Sequence, residues 1–262
     1  MLSVRVVKLG GNELDRPAWL EACARALLPL DPVVVVHGGG RAVSAWSERL
    51  GLPVEKRDGL RVTTPAVAEV VELVLGGPVN RRVVAALRGA GLDAVGLSGV
   101  DGGLLTARRV GEAGGAGGAV LGHVGAIAQV RGALLESFLL AGLTPVIAPM
   151  APEGGNGSAT PLNVNADEAA AAIAGALRAT ELLLVSDVPG VQVDGLVQPV
   201  LDGADVDSLI EGGEASDGMA VKLRAAAAAL RAGARAVRIG DLRLLDDARA
   251  GTRILATTAQ PA

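Results

Sequence analysis

Val4-Arg5-Val6-Val7-Lys8-Leu9-Gly10-Gly11 is a short β-branched run that breaks off into paired glycines. Val33-Val34-Val35-Val36-His37-Gly38-Gly39-Gly40 repeats the arrangement. Val4–Lys8 and Val33–Val36 therefore read as strands. Between them, Ala18–Leu28 has helical apolar spacing, with Trp19, Leu20, Cys23 and Leu27 on one stripe, and Arg41–Leu50 reads as a second helix. Strand, helix, strand in that order predicts an α/β architecture around a largely parallel sheet. The glycines then fall at the carboxyl ends of strands, where open α/β sheets bind ligands. With no side chain in the way, backbone N–H groups there approach an anion closely, and a following helix N-terminus adds its dipole.

The alternation continues along the chain. Thr64-Pro65 starts a helix, threonine as N-cap and proline at the first helical position. Val67, Val70, Val71, Val74 and Leu75 mark its apolar face. Gly76-Gly77 stops it, and Pro78 opens another helix to about Arg88. Strands are expected at Ala94–Leu97, Leu104–Arg109, Val124–Val130, Thr144–Ile147, Leu182–Ser186 and Ala236–Ile239, with Arg253–Leu255 as an added edge strand. Further helices are expected up to Ala141, over Asp167–Leu177 and over Ala220–Ala232, and a hairpin at Val191–Val197 around Asp194-Gly195. Val110–Gly122 and Ala151–Pro161 are glycine-rich loops, the first expected to be mobile. No linker separates independent domains and no segment repeats at a fixed period, so one sheet with two lobes is the expectation.

Bulk properties bound the function. The 262 residues suffice for one large α/β domain, and one Phe, two Trp and no Tyr leave an aliphatic core. A formal net charge of −4 without a basic stretch speaks against a nucleic-acid partner. Cys23 is the single cysteine, expected as a packed thiol, so neither a disulfide framework nor a cysteine metal cluster is available. His37 and His123 are too few and too poorly spaced for a metal site; His37 reads as a strand-end hydrogen-bonding group. No secretory signal opens the chain and no apolar run reaches membrane-spanning length, so a soluble, cytoplasmic protein is expected.

Against twenty-one arginines stand three lysines, Lys8, Lys56 and Lys222. A lysine kept in so arginine-rich a chain suggests a place where the planar guanidinium would not serve. Lys8 precedes Leu9-Gly10-Gly11, and Lys222 follows Gly218-Met219 at the start of an alanine-rich helix. An ammonium is a compact charge with three steerable donors, suited to a phosphate in flight. Lys56 reads as a surface residue. The chain has no Gly-Lys dipeptide, hence no Walker loop, and no GxGxxG fingerprint. Asn163-Val164-Asn165-Ala166-Asp167 is the densest polar cluster. Asn165 or Asp167 caps the helix that follows, or the carboxylate orients two lysines that would otherwise repel each other. Arg61, after Asp58-Gly59-Leu60, is either an ordinary surface arginine or a bidentate partner for a substrate carboxylate.

Taken in order, several stretches resemble the amino-acid kinase family, and within it the acetylglutamate kinases. They are Val7 to Gly11, Val35 to Gly40, Gly59-Leu60-Arg61-Val62-Thr63, Val79-Asn80, Gly96 to Gly103, Leu162 to Asp167, Ser186-Asp187-Val188-Pro189-Gly190-Val191 and Gly218-Met219-Ala220-Val221-Lys222. The resemblance implies a single three-layer αβα sandwich around a mainly parallel sheet, with a substrate lobe over about residues 1–178 and an ATP lobe over about 179–262. It implies transfer of a phosphoryl group from ATP to the side-chain carboxylate of N-acetyl-L-glutamate, a step of arginine biosynthesis. Lys8 and Lys222 would stabilise the phosphoryl group and Asp167 would organise both. Gly10, Gly11 and the Gly38–Gly40 turn would meet the phosphoryl oxygens, with Gly39 and Gly40 also beside the substrate. Arg61 and Asn163 would bind the acyl amino acid; Ser186, Asp187, Gly190 and Met219 would border the nucleotide. Mg²⁺ would arrive with ATP, with no metal site of the protein's own.

The chain departs from the pattern in places. Asp217-Gly218-Met219 stands where Gly-Gly-Met is frequent, and Asp217 would cap the Lys222 helix or alter nucleotide affinity. Asn12 and Glu13 replace small residues. The chain starts at its first strand, which leads to the expectation of a homodimer not regulated by arginine. Two rivals remain: a related kinase acting on aminoadipate or glutamate linked to a carrier protein, and a catalytically silent amino-acid-binding module.

Overall fold

The computed structural model describes residues 3–57, 59–110, 121–154, 160–215 and 217–256. The opening unit forms as read: β1 (Arg5–Leu9), α1 (Pro17–Leu27), β2 (Val33–His37) and α2 (Gly40–Arg49). A short hairpin of β3 (Lys56–Arg57) and β4 (Leu60–Arg61) follows. In α3 (Pro65–Val74) the Thr64 side chain accepts from the Val67 N–H at 3.3 Å, as the Thr-Pro pair led one to expect. The glycines after α3 do not end the helical path. Leu75–Val79 makes a π-type turn, kinked at Gly77, that runs directly into α4 (Asn80–Ala90) and buries Asn80.

Next come β5 (Ala94–Ser98), β6 (Leu105–Arg109), β7 (Val124–Val130), α5 (Gly132–Leu140), β8 (Thr144–Ala148), β9 (Met150–Ala151), β10 (Leu162–Val164) and α6 (Ala166–Ala176). The last third holds β11 (Glu181–Val185), the hairpin β12 (Gln192–Val193) and β13 (Leu196–Val197), β14 (Val200–Leu201), α7 (Gly203–Glu211), α8 (Asp217–Arg231), β15 (Val237–Gly240) and β16 (Thr252–Ile254). Residues 111–120 and 155–159 of the two glycine-rich loops, Asp58 and the Asp217 side chain lie outside the described residues.

Among the described residues eight strands make the central sheet, in the order β14-β16-β15-β11-β1-β2-β8-β5. From β15 to β5 all are parallel; β16 runs against β15, with β14 parallel to β16. Strands buried on both faces read as unbroken apolar runs, which is how β2 and β11 look in the sequence. One core lies under α5 to α8 and packs Val6, Val34, Leu182 and Leu184; the other lies under α1 to α4 and packs Val7, Val35, Leu183 and Val185. This is the α/β layered sandwich, and Cys23 is wholly buried in the second core. Burial, and secondarily the charge of Asp246, push its thiol up to about 12, so it stays an inert packed group.

The sheets and the helices also differ from expectation. A separate sheet of β6-β7-β10-β9 stands beside the main one, where a single sheet was anticipated. Burial alternates along β6 and β10, and Arg108 and Gln129 are exposed, because one face is wet. Strand β16 is not the edge; β14 flanks it, and two residues are too short to show a pattern. Helix α7 was missed, although Asp202 caps it and exchanges bonds with Asp205 in a capping box.

Candidate active site

From β1 the chain crosses to β2 on one side and much later returns as β11 on the other. Such a reversal opens a crevice at the carboxyl ends of the strands. Alternation along β1 sends Val7 and Leu9 into one core and Val6 into the other, so Lys8 shares the face of Val6, under α6 and α8. Asn165 settles the open choice at α6. It is the cap: its side-chain oxygen accepts from the N–H groups of Asp167 at 2.8 Å and Glu168 at 3.4 Å. The Asp167 carboxylate is left for the lysines. Lys8 Nζ lies 2.9 Å from its Oδ1, and Lys222 Nζ, from the second turn of α8, lies 3.5 Å from its Oδ2.

All three groups are largely shielded, with Lys8 and Asp167 each 5% exposed. Burial by itself would raise the Asp167 carboxyl, but the ammonium groups of Lys8 and Lys222 outweigh it and hold the group below its ordinary range. Burial, then repulsion from Lys8, lowers Lys222, with Asp167 pulling it back up. One carboxylate thus keeps two cations side by side.

Beside them the first two glycine turns touch. The Gly10 N–H donates to Val185 O and that of Gly38 to Leu9 O, both at 3.0 Å, so these two are spent on backbone. The N–H groups of Gly11 and Gly39 have no acceptor among the described residues. A Cβ on Gly11 would stand 2.5 Å from Gly39 N, and one on Gly39 would meet Leu75 Cδ2 at 2.4 Å. Only glycine at both positions leaves these donors reachable.

Gly38, Gly39, Gly40, Arg61 and Asn163 line one cavity of about 170 Å³. Arg61 is buried; its Nη2 donates to Gly40 O at 2.8 Å and Ser44 Oγ at 2.7 Å, while Nη1 has no partner among the described residues. Asn163 donates to Thr63 Oγ1 at 3.2 Å, and that hydroxyl donates to Arg61 O at 2.8 Å, a chain that locks the two residues together. The roles of Thr63 and Ser44 are not legible in the sequence, since nothing in spacing joins position 63 to 163 or position 44 to 61. Lys56 is exposed as expected, yet it stands on the wall of this cavity, which corrects its reading as a mere surface residue.

Ser186 and Asp187 lie across the crevice. Ser186 Oγ donates to Asp187 Oδ1 at 3.1 Å, and Asn12 reaches Asp187 Oδ2 at 3.4 Å, so the departure at Asn12 bridges the first glycine turn to this one. Gly190 and Met219 line a further cavity of about 190 Å³ with Val191, Leu209 and Ala215. A larger apolar hollow of about 710 Å³ between α6 and α8 holds none of the site residues anticipated from the sequence.

The amino acid kinase family model matches residues 3–241. The chain belongs to the amino acid kinase family. This member of the family is 48% identical over 254 residues to the acetylglutamate kinase of Chloroflexus aurantiacus (strain J-10-fl), covering 97% of both chains. It is 45% identical over 251 residues to that of Methanopyrus kandleri, covering 94% of this chain and 98% of the relative. Among solved structures, smu.665 from Streptococcus mutans UA159 superposes with a TM-score of 0.83 at 28% identity, covering 97% of this chain and 99% of the other. No helix among the described residues is long and apolar enough to cross a membrane.

Proposed function

We propose that this amino acid kinase is an acetylglutamate kinase, phosphorylating the side-chain carboxylate of N-acetyl-L-glutamate with ATP to give N-acetyl-L-glutamyl 5-phosphate and ADP, the second step of arginine biosynthesis. The observation that carries the reading is the Asp167 carboxylate held between Lys8 and Lys222 beside the cavity of Arg61 and Asn163. The acetylglutamate kinases at 45–48% identity over nearly the whole chain support the choice of substrate. Residues up to about 178 hold the acyl amino acid and those from about 179 hold the nucleotide.

In this reading the substrate carboxylate oxygen attacks the γ-phosphorus while the bond from that phosphorus to the ADP oxygen breaks. The carboxylate is already ionised at neutral pH, so no general base is needed. The protein supplies alignment and charge. Lys8 and Lys222 neutralise the equatorial oxygens, the N–H groups of Gly11 and Gly39 donate to them, and Asp167 keeps the ammonium groups charged and aimed. Arg61 takes the α-carboxylate and Asn163 the neighbouring acyl amide. Ser186, Asp187, Gly190 and Met219 border the nucleotide. Among the described residues no group of three His, Cys, Asp or Glu gathers to hold a metal. Mg²⁺ would come with ATP in this reading, held by phosphate oxygens and water.

Trapping acyl phosphate with hydroxylamine while following ADP release tests the reading. N-acetylglutamate is expected to turn over best among N-acetylaminoadipate, free glutamate and a carrier-linked glutamate. Turnover of the carrier-linked compound alone assigns the chain to the rival kinases; binding without turnover makes it a silent module. In the same assay Arg61→Lys raises the KM for N-acetylglutamate by about 10- to 100-fold with little change in kcat, the loss of a charge-assisted contact from Nη1 made equally in ground and transition states.

A further inference from the structure

We propose that His37 and Asn80 form a buried relay that positions the Gly39 N–H for the transferring phosphoryl group, an inference that rests on the phosphoryl-transfer reading above. Both side chains are inaccessible to solvent, at 0% and 1% exposure, so neither touches a ligand. They act through the backbone.

Hydrogen-bond chemistry sets the direction of the relay. His37 Nδ1 lies 2.8 Å from Gly38 O, and a carbonyl only accepts, so Nδ1 carries the proton. Nε2 of the neutral ring is then an acceptor, and Asn80 Nδ2 supplies it with a donor at 3.1 Å. The same Nδ2 donates to Val146 O at 3.0 Å, which identifies that end of the amide as nitrogen and ties it to β8. Burial, opposed in part by the Gly38 bond, pushes the imidazole down to about 4, so the ring stays neutral across the physiological range.

The consequence falls on one peptide group. Across a trans peptide the C=O and N–H point in opposite directions. With the Gly38 oxygen held against the imidazole, the Gly39 N–H is turned away from it, to the side where Gly11 lies and where no acceptor among the described residues meets it. The surroundings are cut to admit the pair. A Cβ on Gly96 would lie 2.0 Å from Asn80 Oδ1, and the π-type turn before α4 is what brings Asn80 inside. A histidine kept for packing alone would need neither a donor fixed on Gly38 nor a partner fixing its tautomer.

The test compares His37→Leu, which fills the space without a donor, with His37→Asn, whose Nδ2 takes the place of the ring Nδ1. For folded His37→Leu, kcat is expected to fall about 10- to 100-fold while both KM values stay within about twofold, since the lost donor acts in the transition state. His37→Asn is expected to regain most of that kcat. An unchanged kcat in His37→Leu, or equal damage in His37→Asn, overturns the proposal. Should His37→Leu fail to fold, Asn80→Leu makes the same comparison, with the same expected fall in kcat at constant KM. Imidazole ¹⁵N NMR of the wild-type protein supplies a readout that needs no turnover, and only two histidines have to be assigned. His37 is expected as the neutral Nδ1–H tautomer at pH 7; the Nε2–H tautomer overturns the relay. A wild-type protein that phosphorylates no acyl amino acid refutes the functional reading, while the tautomer still decides the relay.

Discussion

Lys8→Arg and Lys222→Arg each lower kcat by about 10²- to 10³-fold while leaving the protein folded, the loss found when one preorganised donor to a transition-state charge is removed. The loss follows from space and shape. Lys8 is 5% exposed and its ammonium sits 2.9 Å from Asp167, so a guanidinium with a longer reach overshoots the carboxylate or displaces it. The planar fork also fixes its donors in one plane, where an ammonium rotates three donors onto oxygens that move during the transfer. Circular dichroism verifies the fold, and acyl-hydroxamate formation with ADP release gives the rate. Near-normal rates in both variants would remove the phosphoryl role from the pair.

Asp167→Asn carries the largest expected effect on stability. Removing the carboxylate between them leaves two shielded cations facing each other, and breaking a buried ion pair from one side costs about 3–5 kcal/mol. The melting temperature should fall accordingly. Activity should change with it in a manner that has a sign. In the wild-type protein Lys222 lies below its ordinary range because of burial and Lys8, and Asp167, ahead of Asp187, pulls it back. Without Asp167 the Lys222 ammonium loses its proton at lower pH, so the alkaline limb of the kcat profile moves to lower pH. The acid side follows the linkage of Asp167 itself. Its folded pKa is below the 3.8 of a free aspartate, so its stabilising contribution is complete above about pH 4 and is lost as pH falls through the lower folded value. In the asparagine variant this part of the acid-unfolding curve should disappear. A variant that melts with the wild type and keeps its alkaline limb would show that the carboxylate organises neither lysine.

Legibility in the sequence followed a physical rule. Elements whose residues satisfy one another locally were visible: Thr64 with Pro65 starting α3, the unbroken Val33–Val36 run of β2, the Asp194-Gly195 hairpin with both residues at positive φ. Elements that owe their place to distant partners were not. Two-residue β14 exists because β16 lies beside it, and the second sheet exists because Asn163 and Val164 of β10 align with Val124 and Gly125 of β7. The capping box before α7 is the exception, a local signal present in the sequence at Asp202 and Asp205.

Among the anticipated site residues the same division holds. Residue type together with neighbouring glycines singled out Lys8 and Lys222, because lysine in an arginine-rich chain signals a need for a compact charge and glycines let backbone donors approach an anion. The chain read alone therefore sets the layered α/β class, the strand ends where a ligand meets the backbone, and the kinds of group that wait there. Which partners those groups have was decided by folding. The crossing from β1 to β2 on one side and the return to β11 on the other bring position 8, position 167 and position 222 within reach of one another. That approach made Asn165 the helix cap and freed Asp167 for the lysines, moved Lys56 from the open surface to a cavity wall, and joined His37 to Asn80 across 43 positions. Ionic and hydrogen-bonding partnerships act over a few ångströms of space, and the order of residues along a chain does not state which distant positions come that close.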